Sequence, residues 1–136
     1  MSDKQKKILA LIEPFEGQEL DPRYLGYFAC FNEGRFFEAH EVLEDLWLGD
    51  RHGPDGAFYK GLIQLAGAFV HLQKQRPSPA AALFRLTLGN LRKYPPVHQR
   101  LNLEGLKSSI ERLLEDLDAG KTLSSNVAPA LNPEKQ

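Results

Sequence analysis

Two imidazoles, two carboxylates and an amide recur at helical spacing on two neighbouring stretches of this 136-residue chain. His40, Glu41 and Glu44 fall in Phe36-Phe37-Glu38-Ala39-His40-Glu41-Val42-Leu43-Glu44-Asp45-Leu46-Trp47, and Gln64 and His71 fall in the stretch that follows Lys60. His40, Glu44, Gln64 and His71 together make a donor set for a divalent first-row metal such as zinc, manganese or iron, with room left for water. Glu41 would then be the catalytic base acting on metal-bound water, and Arg85 a counter-charge. That chemistry is metal-assisted hydrolysis.

The element carrying the first group explains why it stands out. On a helix at about 100° per residue, Phe36, Phe37, Ala39, Leu43, Leu46, Trp47 and Leu48 fill an arc of about 200°, with Glu38, Glu41 and Asp45 opposite. His40 and Glu44 project from the middle of that apolar arc, one turn apart, where an unpaired titratable group costs several kcal/mol. On the second stretch, Lys60, Gln64 and His71 fall within about 40°, with Gly67 on the same stripe leaving a gap. If consecutive helices pack side by side with these stripes facing, the four donors converge. A second reading uses the same residues differently. His40 and Glu44 form a structural i, i+4 pair, and Lys60, Gln64 and His71 are the solvated stripe of a buried helix.

The rest of the chain reads as helices. Asp21-Pro22 is an N-cap followed by proline at the first helical position, and Gly34 stops that helix before the one from Phe36 to about Leu48. Gly49 to Gly56 is a breaker-rich loop. From Ala57 to about Lys74 the pattern is apolar nearly all round, the mark of a buried central helix. Ser78-Pro79 opens a fourth helix that Pro95-Pro96 ends, and Leu103, Leu106, Ile110, Leu113 and Leu117 mark a fifth. The expected fold is all-α, a compact bundle of about five antiparallel helices, with no run that supports a strand. Residues 1–20 form an N-terminal extension, a short amphipathic helix at most; residues 21–120 form one helical domain; residues 121–136 have the composition of a disordered tail. A faint echo of paired-helix repeat units, around Gly34–Ala39 and Gly67–Ala81, keeps no period.

Composition excludes several classes. Seventeen basic against eighteen acidic residues leave no field for nucleic acid or an anionic membrane surface. Apolar residues are 42% and charged residues 26%, as in ordinary globular proteins. No apolar run is long enough to span a membrane, and the Lys4 to Ile12 stretch is too short for a secretion signal, so the expected location is the cytoplasm. The single Cys30 forms no internal disulfide. His40-Glu41-x-x-Glu44 is not the His-Glu-x-x-His of zincins, and no Glu-x-x-His, His-Asp dipeptide, phosphate loop or serine elbow occurs. His52 lies in a loop and His98 beside a Pro-Pro turn, and nothing recommends either.

Phe31-Asn32-x-Gly34-x-Phe36-Phe37-Glu38-Ala39-His40-Glu41-x-Leu43-Glu44-x-x-Trp47, followed by Lys60-Gly61-Leu62-Ile63-Gln64-Leu65-Ala66 and His71, resembles the domain-of-unknown-function family three-zero-nine. The resemblance covers roughly residues 22–93. It implies an all-α fold and carries a loose label of predicted metal-dependent hydrolase; His40, Glu41, Glu44, Gln64 and His71 fall in its signature segments. Two functions stay open on the sequence: a metal-dependent hydrolase, and a non-catalytic helical module that binds a small molecule or protein, a second copy of the chain included.

Overall fold

In the computed structural model, which describes residues 1–134, the chain is mostly helical, with one short hairpin and an extended C-terminal stretch. The helices are α1 (Asp3–Ile12), α2 (Pro22–Asn32), α3 (Phe36–Asp50), α4 (Gly56–Gln73), α5 (Pro77–Leu91) and α6 (Leu103–Asp118). The all-α architecture expected from periodicity is what forms, with a sixth helix at the front. Ser2 and Gln5 close a reciprocal capping box around α1, so the ambiguous N-terminal stretch has a defined start.

Local chemistry sets the boundaries. The Asp21 side chain accepts from the Arg23 N–H at 2.8 Å, and Pro22 opens α2. Burial pushes the Asp21 carboxyl up, but the Arg23 side chain and N–H outweigh it and hold it below its ordinary value. Gly34, at φ +77°, makes the tight turn into α3 that a residue with a Cβ resists. The start of α5 differs from the sequence expectation: Pro77, not the Ser78 cap, sits at the first position, and α5 ends at Leu91, before Pro95-Pro96.

The core is an aromatic ladder across four helices. Phe31 of α2 packs edge-on against Phe36 of α3 at 5.0 Å, and Phe36 stacks on Phe69 of α4 at 5.2 Å. Phe69 in turn meets Phe84 of α5 at 5.2 Å. Edge-to-face and offset pairs at such spacings add about 0.5–1.5 kcal/mol each beyond the area they bury. The central helix α4 packs between α3 and α5 and buries Phe58, Leu62, Leu65 and Phe69 completely. Tyr27 donates to the Leu62 carbonyl at 2.7 Å, which satisfies a hydroxyl otherwise sealed in the core. Leu103, Leu106, Ile110, Leu113 and Leu114 dock α6 on this body. α1 packs on α2 and α3, with Ile8 and Ile12 forming a small cluster with Val42 of α3 and Leu11 reaching the main core.

Two expectations are corrected here. The chain does form strand structure: β1 (Val97–His98) pairs antiparallel with β2 (Leu101–Asn102). The hairpin is too short for an alternating pattern, and its turn residues Gln99 and Arg100 adopt φ +44° and +63° without the glycine or asparagine that marks such turns. The segment expected to be a disordered tail lies against the body as far as residue 134. Leu131 is buried, and Leu123 and Ala128 pack on the core. Its polar composition concealed three apolar anchors spaced along an extended strap. Residues 135–136 of that expected tail lie outside the described residues.

Candidate functional site

The α3–α4 face does not assemble as the residue pattern suggested. His40 Nε2 lies 3.5 Å from Glu44 Oε2, too far for a good hydrogen bond, and the two side chains are 32% and 29% exposed. They sit at the border of the apolar arc, not its middle. Phe37 and Leu48, counted in that arc, face solvent at 54% and 55%, so the buried stripe of α3 is narrower than 200° of apolar residues implies. α1 supplies the missing charges: Lys4 lies 3.6 Å from Glu44, and Lys7 donates to Glu41 at 2.8 Å. The Glu41 hydrogen bond, with Glu41 and Glu38 nearby, pushes the Lys7 ammonium above its ordinary value. Glu41 therefore stands as half of an ion pair.

Gln64 is engaged on the other side of α4, where its Oε1 accepts from Asn90 of α5 at 2.8 Å. The gap beside Gly67 is filled by Leu83, whose Cδ1 would lie 3.2 Å from an added Cβ. Lys60 lies over the Trp47 ring, 4.4 Å from its centroid. Arg85 pairs with Asp118 of α6 at 2.6 Å. His71, in the last turn of α4, is partly buried. Among the described residues no three His, Cys, Asp or Glu side chains come together in a way that could hold a metal ion, so His40, Glu44 and His71 do not converge.

The fit of a metal to His40 can be tested on its own ring. His40 Nδ1 is buried with no partner, and so is His71 Nδ1. A singly protonated His40 ring with its proton on Nε2, towards Glu44, leaves a bare Nδ1. A metal on Nε2 would move the proton to Nδ1, where nothing accepts it, whereas a metal-ligating histidine donates its other N–H to an acceptor. Through Nε2, then, the ring lacks the outer acceptor that a ligating histidine uses.

A second polar cluster, not among the residues singled out by their spacing, lies where the β1–β2 hairpin meets the start of α4. His98 Nε2 and Asp55 Oδ1 are 2.7 Å apart. Gln99 Nε2 donates to Asp55 Oδ2 at 2.8 Å and to the Tyr59 hydroxyl at 2.8 Å, and the Tyr24 hydroxyl donates to the Gln99 carbonyl at 3.0 Å. The Tyr94 hydroxyl donates to the Pro54 carbonyl and accepts from the Phe58 N–H. Burial pushes the Tyr24 and Tyr59 hydroxyls up, against a Gln99 hydrogen bond that favours ionised Tyr59. The cluster fixes two residues held in a left-handed conformation, at about 1–2 kcal/mol each. Among the described residues it too gathers no metal-holding group. The one faint sequence signal was the density of Asp, His, Gln and Tyr around two proline-rich loops.

Residues 24–91, half the chain, match the family described as Domain of unknown function (DUF309). An uncharacterized protein of Aquifex aeolicus is 27% identical over 91 residues, covering 67% of this chain and 27% of that protein. The uncharacterized protein YpuF of Bacillus subtilis is 33% identical over 93 residues, covering 68% of this chain and 51% of YpuF. The matched segment thus spans about a quarter and about half of these longer proteins. No solved structure gives a significant match. Among the described residues no helix is long and apolar enough to cross a membrane.

Proposed function

The chain belongs to the family described as a domain of unknown function, and from that premise we propose that it works as a non-catalytic helical binding module. In this reading the His40–Glu44 pair is a structural contact on α3, with Lys4 and Lys7 of α1 balancing its carboxylates. The observation that carries the reading is the orphaned, buried Nδ1 of His40, which sets the ring up to face Glu44 and not to ligate. The matched segment's small share of the Aquifex relative supports a module that works beside other parts of a chain. Its partner is proposed to be a protein or small molecule, and the buried, reduced Cys30 suits the cytoplasm. Hydrolysis at a metal would require a donor set that the described residues do not bring together.

Thermal denaturation of untagged protein with zinc, manganese and iron(II), alongside His40→Ala, tests the proposal. The binding-module reading expects no metal-dependent rise in Tm that His40→Ala abolishes. A saturable rise with one equivalent of metal, lost in that variant, would replace it with the hydrolase reading.

A further inference from the structure

The C-terminal strap is bound the way a peptide ligand is bound. From Gly120, at φ +80°, the chain turns back, makes a single helical turn at Ser125–Val127 beside α4, and then extends across the end of α2. The Asn32 side chain grips the Leu131 main chain at both ends: Nδ2 donates to the Leu131 carbonyl at 2.7 Å, and Oδ1 accepts from the Leu131 N–H at 2.8 Å. Nδ2 also reaches the Asn132 side-chain Oδ1 at 3.3 Å. The Leu131 side chain is buried, 4% exposed, and the Glu134 N–H donates to the Arg100 carbonyl at 2.7 Å. A cavity of about 300 Å³ remains between the strap and the α2–α3 turn, lined by Phe31, Asn32, Gly34 and Phe36 on the body side.

Main-chain pairing with one buried apolar anchor is a recognition mode for extended peptides: the backbone bonds give affinity, and the pocket gives specificity. Pro129 and Pro133 flank the anchor and hold it extended. The gripping residues Phe31, Asn32 and Phe36 lie inside the segment that matches the family, whereas the strap lies outside it. The Asn32 side of the cleft therefore lies in the segment that matches the family, and its occupant lies beyond that segment.

We propose that the Asn32 cleft is a docking site for an extended, leucine-bearing, proline-flanked peptide of a partner protein, and that residues 128–134 occupy it in cis as a detachable competitor. The proposal rests on the binding-module reading only for the class of partner. Metal uptake at His40 would remove that reading and leave the peptide result standing.

Fluorescence anisotropy with a labelled peptide of residues 125–134 tests it on the full-length chain. Leu131→Asp, which releases the strap, should bind the peptide at least about tenfold more tightly than wild type, the factor expected when a cleft is occupied about nine-tenths of the time. Adding Asn32→Ala to that variant should abolish the gain. No binding by Leu131→Asp, or binding indifferent to Asn32→Ala, would overturn the proposal, as would a concentration-dependent dimer of the wild type that Leu131→Asp dissolves. Hydrogen exchange on the wild type needs no folded variant. The Leu131 and Glu134 amides should exchange at least about a hundredfold faster than those of Leu62 to Phe69, as a locally opening segment does. Equal protection would make the strap an integral part of the fold and end the proposal.

Discussion

The molecule holds two histidine–carboxylate pairs that look alike on paper and differ in nearly every physical respect. His40 and Glu44 are one turn apart on a single helix, 3.5 Å from each other, with the carboxylate shared with Lys4. His98 and Asp55 are 43 residues apart, 2.7 Å from each other, and tied through Gln99 to Tyr59 and Tyr24. The first pair announces itself in sequence because helical periodicity makes i, i+4 neighbours visible. Such pairs contribute only about 0.2–0.5 kcal/mol. The second pair is invisible in sequence, yet its members are cross-linked to three elements, which makes it the more consequential for folding.

The largest expected effect is alkaline. Burial holds the Tyr24 and Tyr27 hydroxyls above their ordinary 10.0 in the folded state. A raised folded value means that their contribution is complete below about pH 10 and is lost as the pH climbs past it, because only the unfolded chain can release those protons. Stability should fall above pH 10 with a slope approaching about 1.4 kcal/mol per pH unit for each tyrosine. Urea denaturation from pH 9 to pH 11 reads this. Tyr24→Phe should flatten the slope and His40→Leu should leave it unchanged; equal slopes in both variants would erase the distinction between the two regions.

Next comes Asp55→Ala, which removes the carboxylate facing His98 and one of the two acceptors of Gln99, and loosens the strained turn. The expected cost is about 2–3 kcal/mol, read as a shift in the urea midpoint at neutral pH. A loss below about 0.5 kcal/mol would reduce the hairpin cluster to a surface contact of the Glu44 kind. Smaller and of opposite sign is Arg100→Gly. Its φ of +63° suits glycine, and its ion pair reaches Glu19, a largely exposed partner. Relief of the turn should outweigh that pair and raise stability by about 0.5–1 kcal/mol. A thermal melt showing destabilisation would mean that the Arg100 side chain, and not the network beneath it, holds the turn.

Smallest of all should be His40→Leu. Were Glu44 sealed in the core, this substitution would orphan a carboxylate and cost several kcal/mol. With Glu44 29% exposed and Lys4 nearby, the change should stay within about 0.5 kcal/mol of wild type.

What was legible in the sequence follows from range. Helix α4 is apolar nearly all round, so its burial at the centre of the bundle could be read from periodicity alone, as could the Asp21-Pro22 start of α2. The hairpin could not, because Gln99 and Arg100 are poor turn residues whose conformation is imposed by Asp55, Tyr59 and Tyr24 from elsewhere in the chain. The strap was hidden for the same reason: Leu131 gains its place through Asn32, 99 residues earlier. The candidate site was legible as a list of residues and not as an arrangement. Gln64 and His71 share a stripe with Lys60, but that stripe borders α5 as well as α3, and Asn90 takes the Gln64 amide.

In the binding-module reading His40 faces Glu44 as a structural partner and leaves its buried Nδ1 bare. Nitrogen-15 NMR of the histidine rings at neutral pH reads the tautomer directly, before and after one equivalent of zinc. The expected result is the His40 proton on Nε2, with both ring nitrogens unmoved by the metal. A proton on Nδ1, or an Nε2 resonance that shifts stoichiometrically with zinc, would contradict it.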